Sequence, residues 1–191
     1  TLIEVYYHPV HGENVPTLLK YIEKAMVYCE QQFGKYAFPT IRFVEISAFA
    51  KGFNATAYPA TIFMRETGAF HCDANDGKCL DVLLELAAHE FSHEWWGTYQ
   101  YNPDDREGAK LLTETLAMYT ELMLNKSING PDHLQESVQM HKDLYLSQRG
   151  FSQEEPLYKV LPSNPHIHYD KGLVAMYKLH QLIGENRINH A

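Results

Sequence analysis

The spacing of apolar residues along the chain predicts a small sheet part followed by a longer helical part. Residues 1–8, 40–46 and 59–64 are rich in β-forming or alternating residues and are predicted to be short strands. Residues 15–34 carry apolar side chains at helical spacing, and that helix is predicted to end at Gly34. Beyond Cys79 the pattern becomes helical, with helices predicted at 79–97, 108–125, 132–150 and 169–185, a loop at 98–107 and an irregular connection at 151–168.

This order predicts an α+β fold, with an α/β part at residues 1–78 and a helical part at residues 79–191. At 191 residues the chain is long enough for one domain with a sizeable core and too short for two ordinary ones, so a single domain over 1–191 is expected. Hydrophobic residues make up 45% and charged residues 21%, which is typical of a soluble folded domain. No uncharged apolar stretch reaches the ~18 residues of a membrane span.

The chain is acidic, with a formal net charge of −8, and its lysines and arginines are scattered singly. Binding to the phosphate backbone of a nucleic acid depends on a basic patch. A nucleic-acid partner is therefore not expected.

The three cysteines are Cys29, Cys72 and Cys79. The last two flank a turn-like segment, and the sequence leaves open whether they pair in an oxidising compartment or stay free in the cytosol. His71, beside Cys72, could instead bind a metal with Cys79. Other histidines, among them His8 and His11, have no spaced partner, and a structural role is expected for them.

The predicted helix at 79–97 contains His89-Glu90-Phe91-Ser92-His93. At ~100° per residue, His89 and His93 lie on one helix face, one turn apart, where two imidazoles can bind one Zn²⁺. Glu90 points elsewhere, so it is badly placed as a ligand but well placed to take a proton from an attacking water. The alternative is two histidines on a solvated face. The apolar character of the surrounding helix argues against that alternative, because buried polar groups need partners.

A catalytic zinc site needs a third protein ligand and an open position. The leading candidate is Glu114 on the next predicted helix, and Glu107 and Glu121 compete with it. Glu107 stands at a helix start, where an acid is common because it complements the helix dipole. Glu121 lies seven residues after Glu114 on the same face, so it could be an outer partner for a ligand histidine.

Four segments in order resemble the gluzincin zinc metallopeptidases of the aminopeptidase N and leukotriene hydrolase family. The HEFSHEWWG helix at 89–97 resembles the family's zinc-binding helix, and TETLAMYTE at 113–121 resembles the segment that carries its third ligand. FGKY at 33–36 resembles the entry to its first core strand. YDKG at 169–172 resembles the segment whose tyrosine stabilises the tetrahedral intermediate.

The resemblance implies a thermolysin-like zincin catalytic domain with one catalytic zinc on His89, His93 and Glu114. Glu90 would be the general base and Tyr169 would stabilise the oxyanion together with zinc. The implied activity is hydrolysis of peptide bonds in a peptide or protein substrate, with an aminopeptidase-like specificity.

The chain departs from the family pattern at three places. The spacing from His93 to Glu114 is longer than usual, and Thr115 replaces a glycine. The family's motif with an amine-binding glutamate is missing, because Ala57 falls at its position and no acid lies between Glu45 and Glu66. Exopeptidase and endopeptidase activity therefore both stay open. The alternative function is a peptide-binding or regulatory module, weakly active or inactive, on a peptidase scaffold.

The family's N-terminal β domain and C-terminal helical domain are not seen in this sequence. We therefore expect the chain to be the catalytic domain of a longer protein. Some bacterial relatives place such domains on membrane proteins, so the resemblance leaves open a membrane-associated parent and an extracytoplasmic location. The sequence does not fix the compartment of this domain.

Overall fold

The secondary structure was assigned in a computed structural model of the chain, which describes residues 1–52, 54–73, 77–151 and 153–191. The strands are β1 (Leu2–Tyr6), β2 (Thr40–Ile46), β3 (Ala55–Tyr58) and β4 (Thr61–Arg65). The α-helices are α1 (Val15–Phe33), α2 (Glu66–Ala69), α3 (Gly77–Ser92), α4 (Leu116–Asn129), α5 (Pro131–Gln148), α6 (Gly172–Ile183) and α7 (Glu185–Asn189). Pro9–Asn14 and Leu157–Lys159 form 3₁₀ turns, and Leu111–Thr115 and His166–Lys171 form π-helical turns.

The strands form one sheet in the order β1-β2-β4-β3. β1, β2 and β4 are parallel to one another, with Val5 opposite Phe43 and Phe43 opposite Ile62. β3 is antiparallel to β4 and forms one edge of the sheet. The carboxyl ends of three strands therefore meet at one side, while β3 keeps a free backbone edge.

The larger of two cores lies between the sheet and helices α1 and α3. Apolar positions repeat every three or four residues along both helices, and these stripes pack on β2 and β4. Burying each large side chain contributes roughly 1.5–3 kcal/mol relative to leaving it exposed. The fully buried side chains of this core include Leu18, Ile22, Ile41, Phe43, Ile62, Met64, Leu83 and Phe91.

A second core lies among α4, α5 and α6. It contains Met118, Tyr119, Leu122, Met123, Leu134, Val138 and Leu173. Helix α4 contributes to both cores, because Leu124 packs in the first while Leu122 and Met123 pack in the second. The small sheet and the mostly helical part predicted from the sequence are thus both present.

Helix α3 is shorter than predicted, ending at Ser92 and not at Gly97. The Ser92 carbonyl accepts hydrogen bonds from the amides of both Trp95 and Trp96, which tightens the chain into a turn. Gly97 then adopts a φ of +118°, a conformation that side chains other than glycine rarely take. His93 therefore stands just past the α-helix.

Strand β3 was missed by the sequence analysis. Its sequence Ala-Thr-Ala-Tyr is only four residues long, and half of it is alanine, which is depleted in strands. Pairing with β4, where Thr56 faces Phe63, decides its conformation.

Cys72 and Cys79 form a disulfide bond, and Cys29 is free and buried. The alternative in which His71 binds a metal with Cys79 is therefore wrong, because the Cys79 sulfur is bonded to that of Cys72. Residues 74–76 of the predicted turn between the cysteines lie outside the described residues. In the described ranges, none of the helices has both the length and the apolar character that a bilayer span would need.

Candidate active site

Two histidines face the cleft from the end of helix α3. His89 lies in the last turn of α3 and His93 follows one turn later, with ring centroids 4.9 Å apart. The opposite face of α3 buries Leu84, Ala88 and Phe91 in the first core. Core packing of this apolar face thus fixes the direction in which the two imidazoles point.

The hydrogen bonds that the Nδ1 atoms donate determine which nitrogen of each imidazole is available to bind a metal. His93 Nδ1 lies 2.8 Å from the carbonyl oxygen of Trp96, which can only accept a hydrogen bond. His89 Nδ1 lies 3.1 Å from Oε2 of Glu121. With Nδ1–H donating in both rings, both Nε2 atoms carry a lone pair that can bind a metal.

Glu114 brings a carboxylate oxygen to the same point. Its Oε2 lies 3.5 Å from Nε2 of His89 and 3.4 Å from Nε2 of His93. Ligand atoms ~2.0–2.1 Å from one tetrahedral Zn²⁺ lie roughly 3.4 Å apart, so the spacing matches a zinc site. Among the described residues this buried oxygen has no hydrogen-bond partner, whereas Oε1 accepts a bond of 2.9 Å from Lys110.

The charges around the histidines favour a cation. Burial lowers the pKa of His89, but the carboxylates of Glu114 and Glu121 outweigh this effect and raise it to about 10. Burial raises the pKa of Glu114, yet the facing imidazoles of His89 and His93 hold it well below its usual range. The site thus stabilises positive charge between the imidazoles and the carboxylate, where a divalent ion would bind.

Glu90 lines the cleft beside the two histidines, as predicted. Its side chain is buried, and burial raises its pKa against the opposing effect of the His89 and His93 imidazoles. A carboxylate whose pKa is raised is a better proton acceptor than an ordinary one, which suits a general base.

Tyr169 enters the cleft from the π-helical turn at 166–171, with its ring centroid 5.9 Å from that of His89. Burial and the nearby Glu114 carboxylate raise the pKa of its phenol, so the hydroxyl keeps its proton. It is therefore a hydrogen-bond donor at neutral pH.

Both π-helical turns carry a candidate functional residue, Glu114 in one and Tyr169 in the other. They pack closely, because Thr115 Oγ1 donates a 2.5 Å hydrogen bond to the carbonyl of His168. A Cβ on Gly172 would lie 2.5 Å from Thr115 Oγ1, so only glycine fits without a shift. π-helical turns are rare and occur often at functional sites.

The cleft has a volume of about 330 Å³, and the edge strand β3 forms one wall through Ala55, Thr56 and Ala57. An adjoining cavity of about 470 Å³ shares His89, Glu90 and Tyr169 with it and is also lined by Glu85 and Glu121. Burial and the carboxylates of Glu121 and Asp81 raise the pKa of Glu85 to about 7.

Comparison with known proteins shows a structural likeness alone. The chain matches no family model and no curated protein. It superposes on native leukotriene A4 hydrolase from Saccharomyces cerevisiae with a TM-score of 0.69 at 17% identity, covering 96% of this chain and 30% of that one. It also superposes on a mutant M1 zinc metallopeptidase from Deinococcus radiodurans with a TM-score of 0.58 at 17% identity, covering 91% and 34%.

The fold is one found in M1 zinc metallopeptidases. The chain spans about a third of the length of these two solved structures. At this identity the likeness shows the fold, while activity and substrate are matters for proposal.

Within this M1-like fold, five residues singled out from the sequence line one cleft: His89, Glu90, His93, Glu114 and Tyr169. Glu121 contacts His89 from outside that group. Glu107 is exposed and does not line the cleft. Sequence reasoning missed Lys110 and Glu85, although each lies four residues before a candidate ligand, Glu114 and His89 respectively.

Proposed function

We propose that the chain is the catalytic domain of a zinc-dependent peptidase with a thermolysin-like, gluzincin arrangement. The strongest support is that the Nε2 atoms of His89 and His93 and the Oε2 atom of Glu114 face one another at zinc-site spacing. This Oε2 atom is buried and has no hydrogen-bond partner among the described residues. Helix α4 belongs to both cores, which supports reading residues 1–191 as one domain. The shared fold with M1 zinc metallopeptidases agrees with this assignment.

The residues present fit a zinc ion. His89, His93 and Glu114 would hold it, and two imidazoles with one carboxylate are a common donor set of catalytic zinc. When bound, zinc polarises the substrate carbonyl and lowers the pKa of water. Glu121 holds His89 in the tautomer that presents Nε2, and the Trp96 carbonyl does the same for His93.

Glu90 and Tyr169 supply the remaining chemistry. Glu90 accepts the proton of the attacking water and passes it to the leaving amine, so it is base and then acid within one turnover. The Tyr169 hydroxyl donates a hydrogen bond to the developing oxyanion. Both side chains line the same cleft. The raised pKa of Glu90 suits it to accept a proton, and the raised pKa of Tyr169 keeps its hydroxyl protonated.

The substrate is proposed to be a peptide or protein segment bound in extended form along β3. This strand is at the sheet edge and lines the cleft, so its free backbone groups can pair with a peptide. Ala57 stands where the family's amine-binding glutamate is expected. Glu85 and Glu121 line the adjoining cavity and are the acids available to a free α-amine there.

The central test measures zinc content and peptide hydrolysis of the full chain. We expect Glu90→Gln to keep zinc but to lower kcat by about 10²–10⁴-fold, the usual contribution of a general base. Glu114→Gln should lose zinc, whereas Glu107→Gln is the matched control and should keep both zinc and activity. Normal turnover by Glu90→Gln would refute the mechanism.

A panel of peptides with free and blocked N-termini separates the remaining possibilities. Cleavage restricted to free-amine peptides would mean an aminopeptidase, in which Glu85 or Glu121 replaces the missing glutamate. Cleavage of blocked peptides would mean an endopeptidase. Peptide binding with bound zinc and no cleavage would favour the alternative, a binding or regulatory module.

The disulfide supports an extracytoplasmic location, because such bonds persist in oxidising compartments. We propose that the domain is displayed there by a longer bacterial protein. Counting free thiols in the natural protein tests this, since one thiol (Cys29) is expected under denaturing conditions. Three free thiols would contradict it.

A further inference from the structure

A second group of metal-ligating side chains lies at the carboxyl side of the sheet, among residues outside the lining of the cleft. His11 is in the 3₁₀ turn that follows β1, Glu45 is near the end of β2, and Glu66 comes directly after β4. Because these three strands are parallel neighbours, their carboxyl ends bring the side chains together. Such ends are a common place for ligand sites in parallel sheets.

The potential ligand atoms converge on one nitrogen. His11 Nδ1 is in direct contact with Oε1 of Glu45 and lies 3.9 Å from Oε2 of Glu66. One donor atom from each of the three residues lies within 4.8 Å of the others. The Glu45 side chain is only 7% exposed, so its carboxylate is largely withdrawn from water.

Two carboxylates of this group face a single imidazole, that of His11. The second imidazole, that of His71, contacts His11 Nε2 on the opposite side of the ring from Nδ1. Over the described ranges, the recorded ion pairs of Glu45 and Glu66 are both with His11. Partly buried carboxylates are costly without compensation, and a divalent cation would compensate both.

Each of the three side chains also has an outer partner that orients it. His71 Nε2 lies 2.7 Å from His11 Nε2, so a proton between these nitrogens orients the His11 ring, and Nδ1 can become a ligand once it gives up the proton that it shares with Glu45. Glu45 Oε2 accepts a 2.6 Å bond from the amide of His8, and Glu66 Oε1 accepts a 2.7 Å bond from the amide of Ala48. Outer contacts of this kind are typical of metal sites.

The segment that carries His71 is itself anchored. The next residue, Cys72, is bonded to Cys79 at the start of α3. Asn14 Nδ2 donates a 2.8 Å hydrogen bond to the Cys72 carbonyl, and the His71 amide donates a 2.8 Å bond to the Glu66 carbonyl. The outer partner of His11 is therefore positioned before any ligand binds.

We propose that His11, Glu45 and Glu66 form a second site, for a divalent transition-metal ion, that ties the ends of β1, β2 and β4 together. One imidazole and two carboxylates are a donor set that suits Zn²⁺, and water can complete the coordination because Glu66 is partly exposed. The ion takes the place of the proton between His11 and Glu45, which widens that contact. Metal binding there releases that proton to solvent.

The test titrates the full chain, stripped of metal, with Zn²⁺ in a calorimeter and counts bound equivalents. Two equivalents are expected for the wild-type chain and one for Glu66→Gln. Glu13→Gln is the matched control, since Glu13 is an exposed acid in the same 3₁₀ turn as His11. It should keep two equivalents.

The His93→Ala background isolates the second site, because it disables the cleft. One equivalent is expected in His93→Ala, none in His93→Ala/Glu66→Gln and one in His93→Ala/Glu13→Gln. Heat measured in buffers of different ionisation enthalpy should show proton release on binding. If Glu66→Gln folds poorly, Glu45→Gln gives the same comparison.

Two results would overturn the second site. One is that Glu66→Gln and Glu45→Gln both bind as much zinc as Glu13→Gln. The other is that the wild-type chain binds a single equivalent that His93→Ala abolishes. Neither result depends on peptide hydrolysis, so the second site and the proposed peptidase activity can fail separately.

Discussion

The two candidate metal groups contain the same kinds of side chain but are assembled differently. They are the cleft group (His89, His93 and Glu114) and the sheet-edge group at the carboxyl ends of the parallel strands (His11, Glu45 and Glu66). In the cleft, His89 lies in the last turn of α3 and His93 follows just past its end, and one carboxylate comes from a neighbouring π-helical turn. At the sheet edge, each side chain comes from a different strand end.

This difference explains why one group is visible in the sequence and the other is not. A four-residue spacing on a helix is a local relation, so the motif at 89–93 predicts its own geometry. The sheet-edge residues are separated by 34 and 21 positions (45 − 11 and 66 − 45), and only strand pairing brings them together.

The two groups also differ in how far their ligand atoms would have to move to bind an ion. In the cleft, Glu114 Oε2 faces two Nε2 atoms at 3.4–3.5 Å, a spacing that already suits zinc. At the sheet edge, His11 and Glu45 are joined by a short hydrogen bond that has to widen before an ion can enter. We therefore expect zinc to bind more tightly in the cleft, where the ligand atoms need to move less.

The largest expected effect that separates the two groups is on turnover. Tyr169→Phe removes the oxyanion donor and should lower kcat by about 10²–10³-fold, because a positioned donor contributes that much in comparable sites. Zinc content in both groups should be unchanged. Steady-state kinetics and metal analysis check this, with Tyr158→Phe, an exposed tyrosine, as the control.

A smaller effect is expected on zinc affinity when an outer partner is removed. Glu121→Gln weakens the acceptor that orients His89, and a loss of about 10–100-fold in zinc affinity at the cleft is expected. His71→Phe is the equivalent change at the sheet edge and should affect that group alone. Competition with a chelator measures the zinc affinity of each group. If either variant lowered the affinity of both groups equally, the two groups would not be independent.

The smallest expected effect concerns the packing of the two π-helical turns. Gly172→Ala places a Cβ against the Thr115 side chain and should lower the free energy of unfolding by about 1 kcal/mol, the low end of the usual cost of overpacking. Because the same turn carries Tyr169, kcat should fall as well, while zinc binding at the sheet edge is kept.

The control for this packing prediction is Gly150→Ala. Within the described ranges, no atom beyond Gly150 and its two chain neighbours lies within 4 Å of a Cβ built there, so stability and kcat should stay near the wild-type values. Urea unfolding of both variants checks the comparison. If Gly172→Ala and Gly150→Ala had equal free energies of unfolding, the close packing of the two π-helical turns would not contribute to stability.

The sequence predicted segments with a strong apolar pattern better than segments whose conformation depends on backbone pairing. β2 was predicted at its observed bounds, 40–46, since its apolar alternation is strong. The end of α3 and the whole of β3 were predicted poorly. Both depend on backbone pairing with the segment that follows, which the pattern of apolar residues does not reveal: Trp96 pairs with Tyr101, and β3 pairs with β4.

The candidate site was predicted as a set of residues, and how they work together stays a proposal. Glu114 was singled out by resemblance, whereas its π-helical turn, its bond from Lys110 and its position facing both imidazoles appear only in the structure. Glu85 was missed because a carboxylate on a helix is usually exposed. Only the packing of the surrounding helices shows that it is partly buried.

The sequence by itself determined the helix-borne histidine pair, the acid beside it and the order of sheet and helices, because each of these follows from relations between near neighbours. Tertiary structure alone decided which carboxylates face those histidines, that Cys72 and Cys79 are bonded, and that His11 meets two glutamates at the sheet edge. The disulfide closes a short segment, but the other contacts join residues far apart in the chain, and the closure of such long loops is stabilised by the cores and not by local preference.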